Sequence, residues 1–514
     1  MRLSAGPRAL TASGGLRAPT PPAGMWTLAA FETRRLLRGP LLWGAAALCL
    51  GLRLYAVREW LPDLTVDPVS MSGAMLLLAA AAMLAAHLAV SRDTREGMPE
   101  SLGPLPGRAA ERTAAAVVAV VAVSAGIAAL TMALYLAARL AMGPVAGTFD
   151  PYEALAGVLA VPFAAGLGAV LGRWAPWPVA VPAAVFLLGA FTWLNGNQGG
   201  YGGWFLPVVL FHGPDWPARP SGLHVPYLVA AVVLFAAVAL LRHGVRPARL
   251  AAAVTAVAVA VPAGAVATAA APGQAEMNPP LTRGTEFTAR LVPAPVRDRY
   301  FGPDSRRCEK RGVVTYCAFP EYVSWIPLWA SAVEPVVEAL PPAARGRLPA
   351  VRQYSDSWWM AEDHDERFIG TFMMWGRAGA RDAHRTALAA RLVNRFTRLE
   401  ARTSAGCDGR GQARTVVGLW LLGQVAPPAP AVESELQIGG SLFETRLSPL
   451  GAARYGAAEL GYARELLATP GARERIWAHW DTLLAPGTTI ERALPLLGLH
   501  PAFAPEPVRG TPCS

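Results

Sequence analysis

The densest run of ionisable side chains in this 514-residue chain is Glu362-Asp363-His364-Asp365-Glu366, four carboxylates around one imidazole. Oxygen donors beside a ring nitrogen are what a divalent cation selects. Consecutive acids also repel one another and favour water, so the run reads as a solvated loop and no metal is assigned to it. No H-E-x-x-H places two histidines on one helix face for zinc, and no G-x-S-x-G sets a serine on a nucleophile elbow. Lys310 is the only lysine, and it stands in Cys308-Glu309-Lys310-Arg311 rather than in a G-x-x-x-x-G-K-[ST] phosphate loop. The pattern therefore offers no catalytic residue, no ATP site within the chain and no cofactor site. Trp325 and Trp329, with Trp358-Trp359, could line a ligand groove or fill a helical core.

The elements that carry these residues are set by hydropathy. The chain is 53% hydrophobic and only 16% charged, too apolar for an ordinary soluble protein. The excess lies in residues 41–272, whereas 273–514 have a globular mix. The net charge of +10 does not form a nucleic-acid patch, because the arginines stand at the ends of apolar runs. Arginine in place of lysine, with much Ala, Gly and Pro, points to a GC-rich bacterial genome.

Residues 1–24 read as a disordered lead and 25–40 as an amphipathic interfacial helix with Arg34, Arg35 and Arg38 toward an anionic surface. Seven apolar runs follow, near 41–57, 71–90, 114–138, 153–172, 177–194, 225–241 and 248–270, each of bilayer-crossing length. Alternate loops hold eleven arginines, among them Arg92, Arg95, Arg108, Arg112, Arg173, Arg242, Arg246 and Arg249. The other loops hold three, Arg58, Arg139 and Arg219, beside Glu59, Asp63, Asp67, Asp150 and Asp215. The positive-inside rule then sets the N-terminus in the cytoplasm and residues 273–514 outside. No run holds Asp or Glu at its middle. Glu153 is at a span end and His87 near the cytoplasmic end of its run, which disfavours ion-coupled transport.

Cys49 lies within the first run, whereas Cys308, Cys317, Cys407 and Cys513 all fall in the outward half. Four cysteines in an oxidising compartment predict disulfides. Cys308 and Cys317 flank a strand-like GVVTY, and Cys407 with Cys513 would tie down the C-terminus; three pairings are open. The outward half reads as mainly α, α+β. Helices are expected at 322–340, 381–401, 452–468 and 473–485, strands at 286–293 and 312–319, and Pro/Gly-rich connections at 262–280 and 424–431.

The loop Ser91–Arg112, SRDTREGMPESLGPLPGRAAER, can present a short helix parallel to the membrane. Here the sequence resembles the permease subunits of ABC-2 type transporters, which carry an interfacial helix before the first span. Between the second and third spans they carry a pattern like E-R-x-x-G-T-L-E-x-L-L-x-x-P-x-x-R. Arg95-Glu96-Gly97, Glu100, Leu102, Leu105 and Pro106 fall on that pattern, while Pro99 and Gly103-Pro104 depart from it. The resemblance covers roughly 25–245. It implies a coupling loop gripped by a separate cytoplasmic ABC ATPase, a homo- or heterodimer of permeases, and export across the bacterial plasma membrane. In that family the loop 195–224 often dips into the bilayer, and Trp204 to Phe211 could do so; Trp193, Tyr201, Trp204 and Trp216 could equally form an interfacial belt. The alternative is a membrane-anchored extracytoplasmic binding domain or an inactive peptidase-like domain.

Overall fold

The computed structural model describes residues 23–97, 108–197, 212–216, 219–270, 294–302, 304–356, 367–373, 375–376, 381–399, 406–431, 449–451, 453–504 and 506–513. Its first half is a helical bundle: α1 (Ala23–Arg38), α2 (Pro40–Ala56), α3 (Asp67–Ala74), α4 (Leu76–Val90), α5 (Arg92–Arg95), α6 (Ala109–Leu140), α7 (Pro151–Trp174), α8 (Ala180–Asn197), α9 (Ser221–Leu241) and α10 (Pro247–Ala270). Five of these stretches are long and apolar enough to cross a membrane, with α3 and α4 forming one of them, Asp67–Val90. The pair α1 and α2, bent by 50°, makes a sixth if it is one broken span. This is a helical polytopic membrane protein. The bend falls at Gly39, whose extended backbone is what a following proline demands, and Pro40 then opens α2 where its missing N–H costs nothing. Helix α2 and the apolar stretch Ala180–Leu194 coincide with the two remaining runs but are shorter.

Glycines set the spacing at the centre of the bundle. A Cβ at Gly157, Gly168 or Gly172 of α7 would come within 3.0 Å of Ser72, Met83 or His87. Backbones this close replace the hydrophobic drive, which is missing between helices in lipid, with dispersion contacts. Around that seam Leu78, Ala82, Met83 and Ala86 of α4 pack with Val161, Ala164, Ala165 and Ala169 of α7 and Val120, Val123 and Ile127 of α6.

The second half is an α+β unit. Strands β1 (Arg307–Arg311), β2 (Val314–Ala318), β3 (Ala350–Tyr354) and β4 (Phe368–Phe372) form one sheet in that order, the first pair antiparallel and the others parallel. Against it pack a 3-10 turn, Pro320–Trp325, and the helices Ile326–Ala339, Arg381–Thr397 and Ala413–Leu422. Further helices Ala457–Ala468, Ala472–Ala478, Trp480–Leu484 and Ile490–Leu497 complete the core. The four expected helical stretches are all helical in their greater part. The expected strand 312–319 is β2, paired with an additional β1, while the one at 286–293 lies outside the described residues. Strands β3 and β4 and the helices Ala413–Leu422 and Ile490–Leu497 were not anticipated. Trp325 and Trp329 are fully buried, so they are core rather than groove; Trp358 and Trp359 lie outside the described residues.

Of the three open pairings, the structure takes Cys308–Cys317 and Cys407–Cys513, and Cys49 is the free, buried thiol. Cys308 and Cys317 are cross-strand partners in the β1–β2 hairpin. The second bridge spans 106 residues and holds the C-terminal segment where Cys513 N–H donates to Asp408 O at 2.9 Å. Loop-closure entropy gives a bond over ~100 residues about 5 kcal/mol against about 3 for a ten-residue hairpin. Removing Cys407–Cys513 with paired serines is therefore expected to lower the unfolding midpoint of the second half more than removing Cys308–Cys317, as measured by thermal unfolding with near-ultraviolet circular dichroism.

Candidate functional site

Two ends of the bundle concentrate its polar groups, and contacts assign each loop to one of them. At the α1 end, Glu32 receives a two-pronged hydrogen bond from Arg92 of α5, at 2.9 and 3.2 Å. This forked geometry clamps α5 to the interfacial helix. The clamp leaves Trp26, Leu28, Phe31 and Leu37 of α1 exposed, as suits a helix lying in a membrane interface. Arg95 and Glu96 then project outward, 3.6 Å apart and both exposed. Gly97 turns the chain with φ +63, a conformation that glycine adopts without a Cβ penalty. Of the residues on the second-loop pattern, Arg95, Glu96 and Gly97 are thus brought together on the surface. Glu100, Leu102, Leu105 and Pro106 lie outside the described residues. The chain returns at Arg108, whose N–H is capped by Glu111 at 3.3 Å as α6 begins.

Behind this surface Asp93 faces Arg112 of α6 at 3.6 Å and Arg173 of α7 at 4.0 Å. His243, just past α9, lies 2.8 Å from Thr113 Oγ1. Burial first, and then the fields of Arg173, Arg249, Arg112 and Arg242, hold its imidazole below the usual histidine range.

The opposite end is built on ions that the sequence reading placed in loops. Arg139, in the last turn of α6, is 0% exposed. Its Nε donates to Asp67 at 3.0 Å, and its remaining N–H groups to the carbonyls of Val57, Trp60 and Leu61. Tyr135, one turn earlier, donates to the other Asp67 oxygen at 3.0 Å. Arg219 pairs with Glu153, and Ser221 donates at 2.7 Å to Asp150, which caps α7 by accepting from Tyr152 N–H at 2.8 Å. Asp67, Arg139 and Arg219 are thus buried partners rather than loop charges, and Glu153, at its span end, is the buried partner of Arg219. The one sequence signal was the Tyr135–Arg139 spacing, which places both side chains on one helix face.

The second half is seated on this end. Tyr322 donates to Asp63 at 3.1 Å, Trp325 Nε1 to Pro144 O at 3.1 Å, and Tyr300 to Asp215 O at 3.0 Å. Leu61 N–H donates to Gly376 O at 2.7 Å and Gly147 N–H to Glu321 O at 2.9 Å. Gly147, at φ +79, is irreplaceable on steric grounds, since a Cβ would strike Asp63 and Thr65. Leu61 and Ala146 belong to the same hydrophobic core as the second half.

Among the described residues no group of three or more His, Cys, Asp and Glu could hold a metal ion. The Glu362–Glu366 run and the stretch Trp204 to Phe211 lie outside them. No family model matches this chain, and neither do any curated protein or solved structure.

Removing one member of a buried ion pair strands the other. Arg139→Ala is expected to destabilise the protein by about 3–5 kcal/mol in SDS-titration unfolding, and Tyr322→Phe by only about 1 kcal/mol.

Proposed function

We propose that this chain is the membrane-spanning permease subunit of an ATP-driven exporter of the ABC-2 type, driven by a separate ATPase. The observation that carries the reading is the α5 region: a short helix clamped to the interfacial helix, with Arg95, Glu96 and Gly97 presented beyond the bundle. A rigidly held element at the end of two spans can pass a push from a soluble partner into the bundle. On this reading the α1 end is cytoplasmic, the chain crosses the bacterial plasma membrane seven times, and 273–514 are extracytoplasmic. The arginine distribution and two disulfides support that orientation. The acids of the bundle support the energy source. Asp67 and Glu153 sit at helix starts, each in a buried ion pair, so neither offers the free mid-span carboxylate that ion coupling uses. Exposed Phe186 and Phe191 of α8 give apolar surface for lipid or for a second permease copy.

Mild detergent extraction from the native host is expected to co-purify an ABC ATPase. The charge reversal Arg95→Glu/Glu96→Arg should reduce its recovery at least about fivefold, the worth of roughly 1 kcal/mol at a contact. Absence of any ATPase with the wild-type chain would overturn the permease reading.

One observation favours a second reading, an extracytoplasmic binding domain on a membrane anchor. A cavity of about 630 Å³, lined by Ala458, Tyr462, Ile490, Leu494, Leu499 and Phe503, falls in the range of small-molecule sites. If it binds a small apolar molecule, native mass spectrometry of the full chain will show an adduct that Leu494→Trp lacks.

A further inference from the structure

At the α1 end, guanidinium groups from three helices lie near one another, and two of them share one acid among the described residues. Arg112 and Arg173 approach one oxygen of Asp93, at 3.6 and 4.0 Å. The Arg173 side chain is only 10% exposed, and its buried Nε donates to no acceptor among the described residues. Arg242, at the end of α9, lies over the ring of Trp174 with its guanidinium carbon 5.7 Å from the centroid. Arg249 stays at this end by donating to Leu240 O and Gly244 O at 3.0 and 3.1 Å. His243 lies beside them, 2.8 Å from Thr113 Oγ1.

We propose that Arg112, Arg173 and Arg242, beside the Thr113–His243 pair, form a site for a phosphate group entering between α6, α7 and α9. Planar guanidinium forks match phosphate oxygens in pairs. A phosphate would supply the negative charge that Asp93 only partly provides. The position fits as well: the cluster caps apolar helices where lipid headgroups lie, and basic pockets between spans bind anionic headgroups. Trp174 and Trp177, both exposed, flank it as interfacial anchors do. A phospholipid headgroup and a soluble phosphate ester share this chemistry. The site does not depend on the permease reading.

The test uses the purified full chain in detergent. Retention of short-chain phosphatidylglycerol is measured by native mass spectrometry against phosphatidylcholine, with inorganic phosphate as competitor. The wild type should retain phosphatidylglycerol preferentially. Arg112→Gln/Arg173→Gln should lose about fivefold in affinity per arginine removed. Asp93→Asn should bind more tightly, a gain that misfolding does not produce. Retention that resists millimolar phosphate assigns the site to a lipid, and displacement by phosphate assigns it to a soluble ester. Equal retention by wild type and the double glutamine variant, or weaker retention by Asp93→Asn, would overturn the proposal.

Discussion

Arg139 is a permanently charged group held wholly inside the protein at one end of an apolar bundle, and its neighbours are arranged to meet that demand. A guanidinium has five N–H donors and no means of shedding its charge, so burial requires acceptors on every side. Asp67 supplies the counter-charge and the turn after α2 supplies three carbonyls. Those carbonyls fix the turn 57–61, and the fixed turn presents Leu61 and Asp63 to the second half. Asp63 is in turn held to Asp67 through its own N–H at 3.1 Å. One ion pair thus links helix α6, the start of α3, the first connecting turn and the sheet-bearing unit. The two halves form one packed body at this end, with Leu61 and Ala146 of the first half completing the core of the second.

The two ends of the bundle obey different electrostatics. At the Arg139 end Arg139 is paired with Asp67 and Arg219 with Glu153, each at short range. Such a region resists rearrangement, because breaking one contact exposes the rest to an apolar surround. At the α1 end Arg92 is held close by Glu32, but Arg112 and Arg173 share the one carboxylate of Asp93 at longer distances. Between the two lies a glycine seam where α7 touches α4 almost backbone to backbone and receives the Ser72 side chain of α3. A motion applied to α5 would meet closely packed helices that end on the tightly paired Arg139 end. That mechanical contrast is what the proposed coupling requires.

Much of the fold was legible in the residues. The apolar runs located every long helix of the bundle to within a few residues, since hydrocarbon leaves backbone groups no alternative to helix. Helical periodicity marked the main helices of the second half, and the GVVTY segment marked β2. What was missed has a common cause. Strands β3 and β4 are short and pair in parallel with partners distant in sequence, so no local alternation announces them. The helix Ala413–Leu422 is buried on all sides and therefore lacks the two-faced pattern that reveals a surface helix. At the candidate site, Arg95, Glu96 and Gly97 were readable as an exposed turn, but their clamp through Glu32 and Arg92 joins residues sixty positions apart.

The sequence by itself determined that the chain is a membrane protein, where the helices of its apolar half run, and that four of its five cysteines fall in the second half. Those properties follow from hydropathy and charge summed over short windows. Only the tertiary structure decided which cysteines pair, that Asp67, Arg139, Glu153 and Arg219 are buried partners, and that the second half is seated on the first. Each of these depends on which distant groups meet in a low-dielectric interior. An aspartate in a loop and an aspartate beside a buried arginine are the same letter until the fold sets their surroundings.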